Sequence, residues 1–391
     1  MKILVCNAGS TSLKYKLFSM PEEIIISEGK IERVGDDNGG FYYFKNNLNN
    51  TEESSDKRKI PDYAYGIKTY LDFLLSSNAI NDLSEVKAVG FKTVLSKDHY
   101  GVHIIDDDVL KGMEEFMVVA PAHNRCYLQA IRTFMDVMPG VPLVGVFETA
   151  FHQTLNKEAY IYPVPYEWYE KYGLRRFGYH GASHSYVADV LNDKFKNGYK
   201  AISCHLGGSS SIAAIVDGVC KETSFGMSLQ CGLPQSNRAG DFDPYLIFFL
   251  LKQGLSVEEI ETSLQKKSGL LGISGVSNDL RDIEEASVDN ERAKLAIDIY
   301  IRELIRYISG YVGLIGGIDC ICFTGGIGEN SFKVRNSVMN RLSFLGIKPS
   351  DCEVKKGEIC KLTTDDSKVS VFVIPANEEL GVARKTYTAI N

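Results

Sequence analysis

No run of apolar residues approaches the roughly 18 that a membrane-spanning helix needs, and the N-terminus passes straight into a strand pattern without a signal peptide. Both absences point to a chain that acts in the cytoplasm, away from membranes. No Cys-x-x-Cys occurs, which removes the commonest zinc and dithiol motifs. The nine cysteines are odd in number, and Cys6, Cys204, Cys320 and Cys322 sit inside apolar strand patterns. That placement suits buried thiols in a reducing compartment better than a disulfide framework. A basic excess is missing too: 43 Lys and Arg face 50 Asp and Glu, for a net charge of −7. Nucleic acid is therefore not expected as a partner, although a local cationic pocket for a small anion stays open. Neither G-x-G-x-x-G nor the lysine-serine pair of a P-loop is present.

What is there is an ordinary globular composition, 44% hydrophobic and 24% charged, over 391 residues, enough for two domains with substantial cores. Strand-like runs alternate with helical patterns, the signature of an α/β protein. The clearest strands are predicted at 2–6, 143–147, 201–204, 319–323 and 369–374. Asp217-Gly218 between alternating runs predicts an antiparallel hairpin over 212–223. Ile297, Ile301, Leu304, Ile308 and Val312 recur at helical spacing, and a second helix is expected over 330–342. The polar stretch 36–59 reads as a surface insertion. A domain boundary is expected near Ala150, with a last helix from about Asn377 packing back on the first domain. The resulting division is 1–150 plus 377–391, and 151–376.

Two segments 198 positions apart repeat one design, an apolar strand followed by a Gly/Ser loop. Cys6 meets Cys204, Gly9 meets Gly207 and Ser12 meets Ser210 when they are superposed. Glycine lets a backbone turn come close to a ligand, and the N–H groups and hydroxyls of such a turn can hold anionic oxygens. The repeat suggests related domains gripping a phosphate chain; the plainer alternative is two hairpins with Gly/Ser turns. Phe323–Asn330 places Gly325, Gly326 and Gly328 between a strand and a helix, a geometry that accepts a phosphate or nucleoside. Tyr179-His180-Gly181-Ala182-Ser183-His184 sets two histidines among small residues, where one can donate to developing negative charge. Arg238 stands in a polar turn before an apolar helix and suits a transferring phosphoryl group, unless it makes a surface ion pair while Asp241 caps that helix.

The segments Asn7–Lys14, Phe147–Thr154, Tyr179–His184, His205–Gly207, Arg238–Asp241, Ser277–Asp282, Phe323–Asn330 and Asn377–Leu380 together make the chain resemble the acetate kinase family from end to end, within the actin/sugar-kinase/Hsp70 superfamily. The resemblance implies a duplicated actin-like (ribonuclease H-like) fold, two domains around a central cleft, and a homodimer. It also implies Mg²⁺-dependent phosphoryl transfer between ATP and a small carboxylate. Position by position, Asn7 and Glu378 would help hold the metal and Lys14 would lie near the phosphates. His180 and Arg238 would stabilise the transition state, with Glu148 near the metal or the acceptor. The nucleotide would meet His205, Leu206, Gly207, Gly208 and Ser209, then Asp279, Leu280 and Arg281, and finally Gly325, Gly326, Ile327, Gly328 and Glu329.

Departures from the family gather on the acceptor side. Lys92 stands where an arginine is expected to pair with the carboxylate; it keeps the charge but loses the bidentate fork. Ala122, before His123, replaces a leucine and would enlarge the acceptor pocket. Glu148 replaces an aspartate, and Tyr179 a phenylalanine. Gly208-Ser209 replaces Asn-Gly, and Gly232–Asn237 diverges from Gly-Leu-Met-Met-Gly-Thr. Two readings compete. In one, a working kinase has an acceptor pocket rebuilt for another small acid, with Tyr179, Lys92 and Lys97 as added polar partners. In the other, a catalytically silent homologue binds nucleotide as a sensor or partner subunit, against which the retention of Asn7, Lys14, His180, Arg238 and Glu378 weighs. A pyrophosphate donor is disfavoured by the nearly unaltered nucleotide motifs. His99, His103 and His152 read as ordinary histidines, Tyr166–Tyr169 as core and packing surface, and Arg175-Arg176 as structural.

Overall fold

The computed structural model describes all residues of the chain except Ser10, Ala120 and Asn197, and omits the side chains of Pro121, Ala122 and His123. The chain divides into two compact units, Met1–Ala150 with Asn377–Asn391, and Phe151–Ala376.

The first unit is built on eight strands: β1 (Lys2–Gly9), β2 (Ser12–Ser19), β3 (Ile24–Glu32), β4 (Gly40–Asn46), β5 (Thr51–Arg58), β6 (Val86–Thr93), β7 (Val102–Ile104) and β8 (Leu143–Phe147). They lie in the order β5-β4-β3-β2-β1-β6-β8-β7. The second unit has β9 (Lys200–His205), β10 (Ser211–Val216), β11 (Val219–Thr223), β12 (Cys320–Thr324), β13 (Cys360–Lys361) and β14 (Ser370–Val373), in the order β11-β10-β9-β12-β14-β13. The duplication is carried by pairing direction as well as order. In the first unit β3-β2-β1 are antiparallel, while β1-β6-β8 are parallel. In the second, β11-β10-β9 are antiparallel and β9-β12-β14 parallel. The two Gly/Ser loops occupy equivalent places, closing the β1–β2 and β9–β10 hairpins.

The central strands are apolar on both faces because helices cover both. In the second unit Ile321 and Phe323 pack with Ile297, Ile301, Leu304 and Ile308 of the helix Glu291–Leu314. Cys320 and Cys322 turn the other way, toward Val187, Ala188 and Leu191 of the helix Gly181–Phe195. In the first unit the last helix, Glu378–Ala389, lays Val382 and Ala383 on Ile3, Val5 and Val146. The expected hairpin turns at Asp217 and Gly218, both at positive φ (50° and 77°), which matches the twist of the strands it joins.

Three expectations need correction. Residues 36–59 contain β4 and β5, an antiparallel extension of the sheet. Tyr42 and Phe44 of β4 are buried, while exposed, charged β5 blunts the sheet edge. The helix expected over 330–342 is, by contrast, present as Phe332–Arg341, with Ser331 capping it through Val334 N–H after a short helical stretch Gly325–Asn330. Tyr166 and Trp168 are largely exposed, not core. Finally, Cys352 and Cys360 form a local disulfide where none was expected; seven other cysteines are free thiols.

Candidate functional site

A cavity of about 830 Å³ opens in the second unit, walled by Gly207 and Gly208, by Asp279, Leu280 and Arg281, and by Gly326 and Ile327. It is of small-molecule size, and three of the predicted nucleotide segments meet there. The segments are tied together by backbone hydrogen bonds. The Leu206 carbonyl accepts from Ile327 N–H (2.8 Å) and Gly328 N–H (3.1 Å), and Leu206 N–H donates to Thr324 (2.8 Å). Leu206, fully buried, is thus the joint between loop and helix. Gly325 N–H donates to the Glu329 carboxylate (3.0 Å), which also accepts from Ala376 N–H (2.9 Å). Gly325, Gly328 and Glu329 therefore shape the turn, whereas Gly326 has open space where a Cβ would stand. Arg335, unmarked by sequence reasoning, donates to the Gly328 and Glu329 carbonyls (2.9 and 2.7 Å) and fixes the turn from behind.

At the rim, Asp279 caps the helix Leu280–Ala286 and takes a two-pronged contact from Arg281 (3.0 and 2.6 Å). Hydrogen bonds from the Arg281 side chain and backbone hold the Asp279 carboxyl down at about 2. Asn278 and Ser236, within stretches compared with the family, also line the cavity, as do Glu284 of the helix Leu280–Ala286 and Lys356, which carried no motif.

On the loop between β9 and β10, Ser210 is turned inward. It accepts from Gly207 N–H (3.2 Å) and lies 2.9 Å from the Tyr300 hydroxyl. Ser209 donates to Gln235 (3.0 Å). The side chains of Gln235 and Arg238 in turn both donate to the Leu229 carbonyl (2.9 and 2.8 Å). Ser209 and Gln235, two departures from the family pattern, are thus partners. Burial draws the Arg238 guanidinium down to about 10, still charged at neutral pH. Asp241 does not cap the following helix; it accepts from Gly232 N–H (2.7 Å) and from the Tyr307 hydroxyl.

Four histidines gather beside this loop. His180 Nδ1 lies 2.9 Å from Ser211 Oγ, which lies 2.9 Å from His184 Nε2, and His184 Nδ1 lies 2.8 Å from Ser203 Oγ. His205 packs its ring 4.1 Å from that of His180 and bonds Ser183 (2.8 Å). His180 itself has φ 57°, a left-handed conformation rare outside glycine that aims it from the start of its helix. Burial, then the neighbouring His152 and His205, hold His184 well below the usual histidine range, so it is a neutral link. His152 is a core histidine, as expected, bonded to the Tyr179 carbonyl (2.9 Å) and lowered by burial to about 4. The Tyr179 hydroxyl donates to the Met227 carbonyl (2.6 Å) from a buried position. Its hydroxyl hydrogen is thus already given to the protein's own backbone.

The first unit has its own cluster. Asn7 and Lys14 are cross-strand partners beside the β1–β2 loop, and Asn7 Oδ1 accepts from the Tyr127 hydroxyl (2.9 Å). Lys92 Nζ lies 2.7 Å from Glu378 Oε2 and 3.1 Å from Glu148 Oε1, all three largely buried. Burial works against the Lys92 ammonium, but the two carboxylates outweigh it and hold its pKa well above the ordinary value. Lys97, in contrast, pairs on the surface with Glu115 (2.7 Å) and is not a pocket group. Tyr127 had no sequence signal beyond its place in an amphipathic helix. The side chains of Ala122 and His123 lie outside the described residues.

The chain's resemblance to known proteins runs its full length. The pattern of the acetokinase family matches residues 2–384. Acetate kinase of Halothermothrix orenii is 44% identical over 395 residues, covering 99% of this chain and 98% of that one. Acetate kinase of Clostridium novyi is 42% identical with 99% and 98% covered. Among solved structures, Porphyromonas gingivalis acetate kinase superposes with a TM-score of 0.90 at 35% identity, covering all of both chains. A propionate kinase from Francisella tularensis superposes at 0.91 and 31% identity, with 99% of each covered. The chain therefore belongs to the acetokinase family, kinases that phosphorylate a short-chain carboxylate with ATP on a duplicated actin-like α/β fold.

Proposed function

We propose that the chain transfers the γ-phosphoryl group of ATP to acetate or propionate with Mg²⁺, and works in either direction. A carboxylate oxygen bonds to the γ-phosphorus as the bond to the ADP oxygen breaks. Both nucleophile and leaving group are anions, so no proton has to move and the protein's task is alignment and charge neutralisation. The nucleotide is assigned to the cavity of Gly207, Asp279–Arg281 and Gly326. Lys14 is assigned to the phosphates, and His180 and Arg238 to the charge on the transferring group. Glu148, His123 and Ala122 are assigned to the acceptor side. The silent-homologue reading has no observation in its favour, since the cavity and the His180 network are intact.

Oxygen donors suit the metal. Glu378 and Glu148 converge on one cation, Lys92 Nζ, so this position already stabilises positive charge. Among the described residues no three His, Cys, Asp or Glu form a cage, which fits an ion that keeps waters and phosphate oxygens in its shell. Asn7 and Glu378 would hold Mg²⁺, which would neutralise phosphate charge.

One observation carries the choice of acceptor. Of the side chains that would have greeted a hydroxylated or amino acid, Tyr179 is spent on Met227, Lys97 on Glu115 and Lys92 on two carboxylates. Ala122, shorter than the leucine expected there, adds no polar group of its own, which favours an unsubstituted short chain. Steady-state rates with acetate, propionate, butyrate and glycolate test this. Propionate is expected within about tenfold of acetate in kcat/KM, with glycolate well below both; glycolate as the best substrate would overturn the choice.

A homodimer belongs to the same proposal. The helix Tyr245–Lys252 is apolar along nearly its whole length, yet Tyr245 is 75% and Phe249 60% exposed. Phe242, Leu246, Phe248 and Leu255 extend the patch, a surface that a second copy would cover.

A further inference from the structure

The position expected to grip the acceptor carboxylate carries the group least able to do so. Lys92 Nζ is held by Glu378 Oε2 at 2.7 Å and Glu148 Oε1 at 3.1 Å. These carboxylates come from different elements, one from the turn after β8 and one from the first turn of the last helix. An ammonium has three donors; one is given to Glu378 Oε2, and Glu148 Oε1 lies within ion-pair distance. One positive and two negative charges leave the cluster at −1. An incoming carboxylate meets net repulsion there, whereas a divalent cation would bring the cluster to +1. A bound metal would therefore admit the anion more readily than Lys92 does. A cation seeking Glu378 must displace or share the ammonium already on its Oε2.

We infer that Lys92 is a positioning residue that preorganises Glu148 and Glu378 and competes with the divalent cation for Glu378. The inference rests on the assignment of Glu378 to the metal. Its role is to keep two buried carboxylates paired and aimed while no metal is bound. Lys92 thereby weakens metal binding to the nucleotide-free protein, so that the cation enters best with the phosphates that replace the lost contact. A lysine suits this work because its single-point ammonium can swing away, whereas an arginine fork locks two oxygens at once.

The test is Mn²⁺ titrated into the nucleotide-free protein, with free Mn²⁺ read by electron paramagnetic resonance, for wild type, Lys92→Met, Lys92→Gln and Glu378→Gln. Removing the ammonium is expected to tighten Mn²⁺ at least about fivefold, and Glu378→Gln to weaken it by a similar factor. Lys92→Gln carries the test if Lys92→Met does not fold, because its amide can still donate to a carboxylate. If Glu378→Gln weakens Mn²⁺ but neither Lys92 variant tightens it, the competition is wrong and the metal assignment stands. If Glu378→Gln changes nothing, the metal assignment itself falls and takes the inference with it. A kinetic split gives a second readout. At saturating metal, Lys92→Gln is expected to leave the acceptor KM within about threefold while lowering the metal concentration for half-activation. A tenfold or greater rise in acceptor KM with unaltered Mn²⁺ affinity would return Lys92 to the acceptor.

Discussion

His180 shows how much of the site is set one residue at a time. Its backbone is left-handed, its Nδ1 is tied to Ser211, and Ser211 is tied to neutral, buried His184. A Ser211→Ala variant removes the hydrogen-bonded link between the two rings and loosens the hold on His180 Nδ1. The kcat is expected to fall about tenfold or more, with the KM for ATP within about twofold, because the nucleotide cavity is untouched. Tyr179→Phe makes the opposite case. It removes a hydroxyl bonded to the Met227 carbonyl, so urea unfolding should show a loss of about 1 kcal/mol with no change in the ranking of acceptors. Residue identities at both places were legible in the sequence; their partners were not. A tyrosine in place of phenylalanine announces a hydroxyl without saying where it points, and Ser203 and Ser211 lie in strands whose pattern reads only as buried.

At the scale of elements, the strand-glycine-helix turn after β12 is held by few interactions and depends on all of them. Gly325 has φ 78°, and a Cβ there would stand 2.7 Å from the Leu206 carbonyl oxygen. Gly325→Ala is expected to cost about 1 kcal/mol or more and to weaken ATP binding severalfold, read by calorimetric titration. Gly326→Ala has open space and is expected to leave the fold intact, so its effect on ATP reports contact with the ligand alone. β8 was legible to the residue from its apolar run, and the helix Glu291–Leu314 from its helical spacing, though without its first turn and a half. The β4–β5 hairpin was not, because an edge strand made of Glu, Ser, Asp, Lys and Arg carries no apolar period and pairs through its backbone. Ser331 was missed for a related reason: it interrupts a helical pattern by capping the next turn, which periodicity alone does not reveal.

The molecule as a whole repeats one five-strand core in two units, each with a Gly/Ser hairpin loop at the equivalent place. Its acid sensitivity follows from buried histidine. His152 is lowered to about 4 in the folded protein against an ordinary 6.5. The unfolded chain therefore binds an extra proton between those values, and stability is full above 6.5 and lost as pH falls toward 4. Urea unfolding at pH 5 is expected to give about 2 kcal/mol less than at pH 7 from this group alone, a difference that His152→Gln should remove. Association is tested by sedimentation: the wild type is expected as a dimer and Phe249→Glu as a monomer, the charge being intolerable in an apolar interface. The central claim, phosphorylation of a short carboxylate, is tested most directly by following ATP, Mg²⁺ and acetate or propionate with ³¹P NMR. The account predicts an acyl-phosphate resonance growing one for one with ADP. ATP that binds yet yields no acyl phosphate from either acid would contradict it.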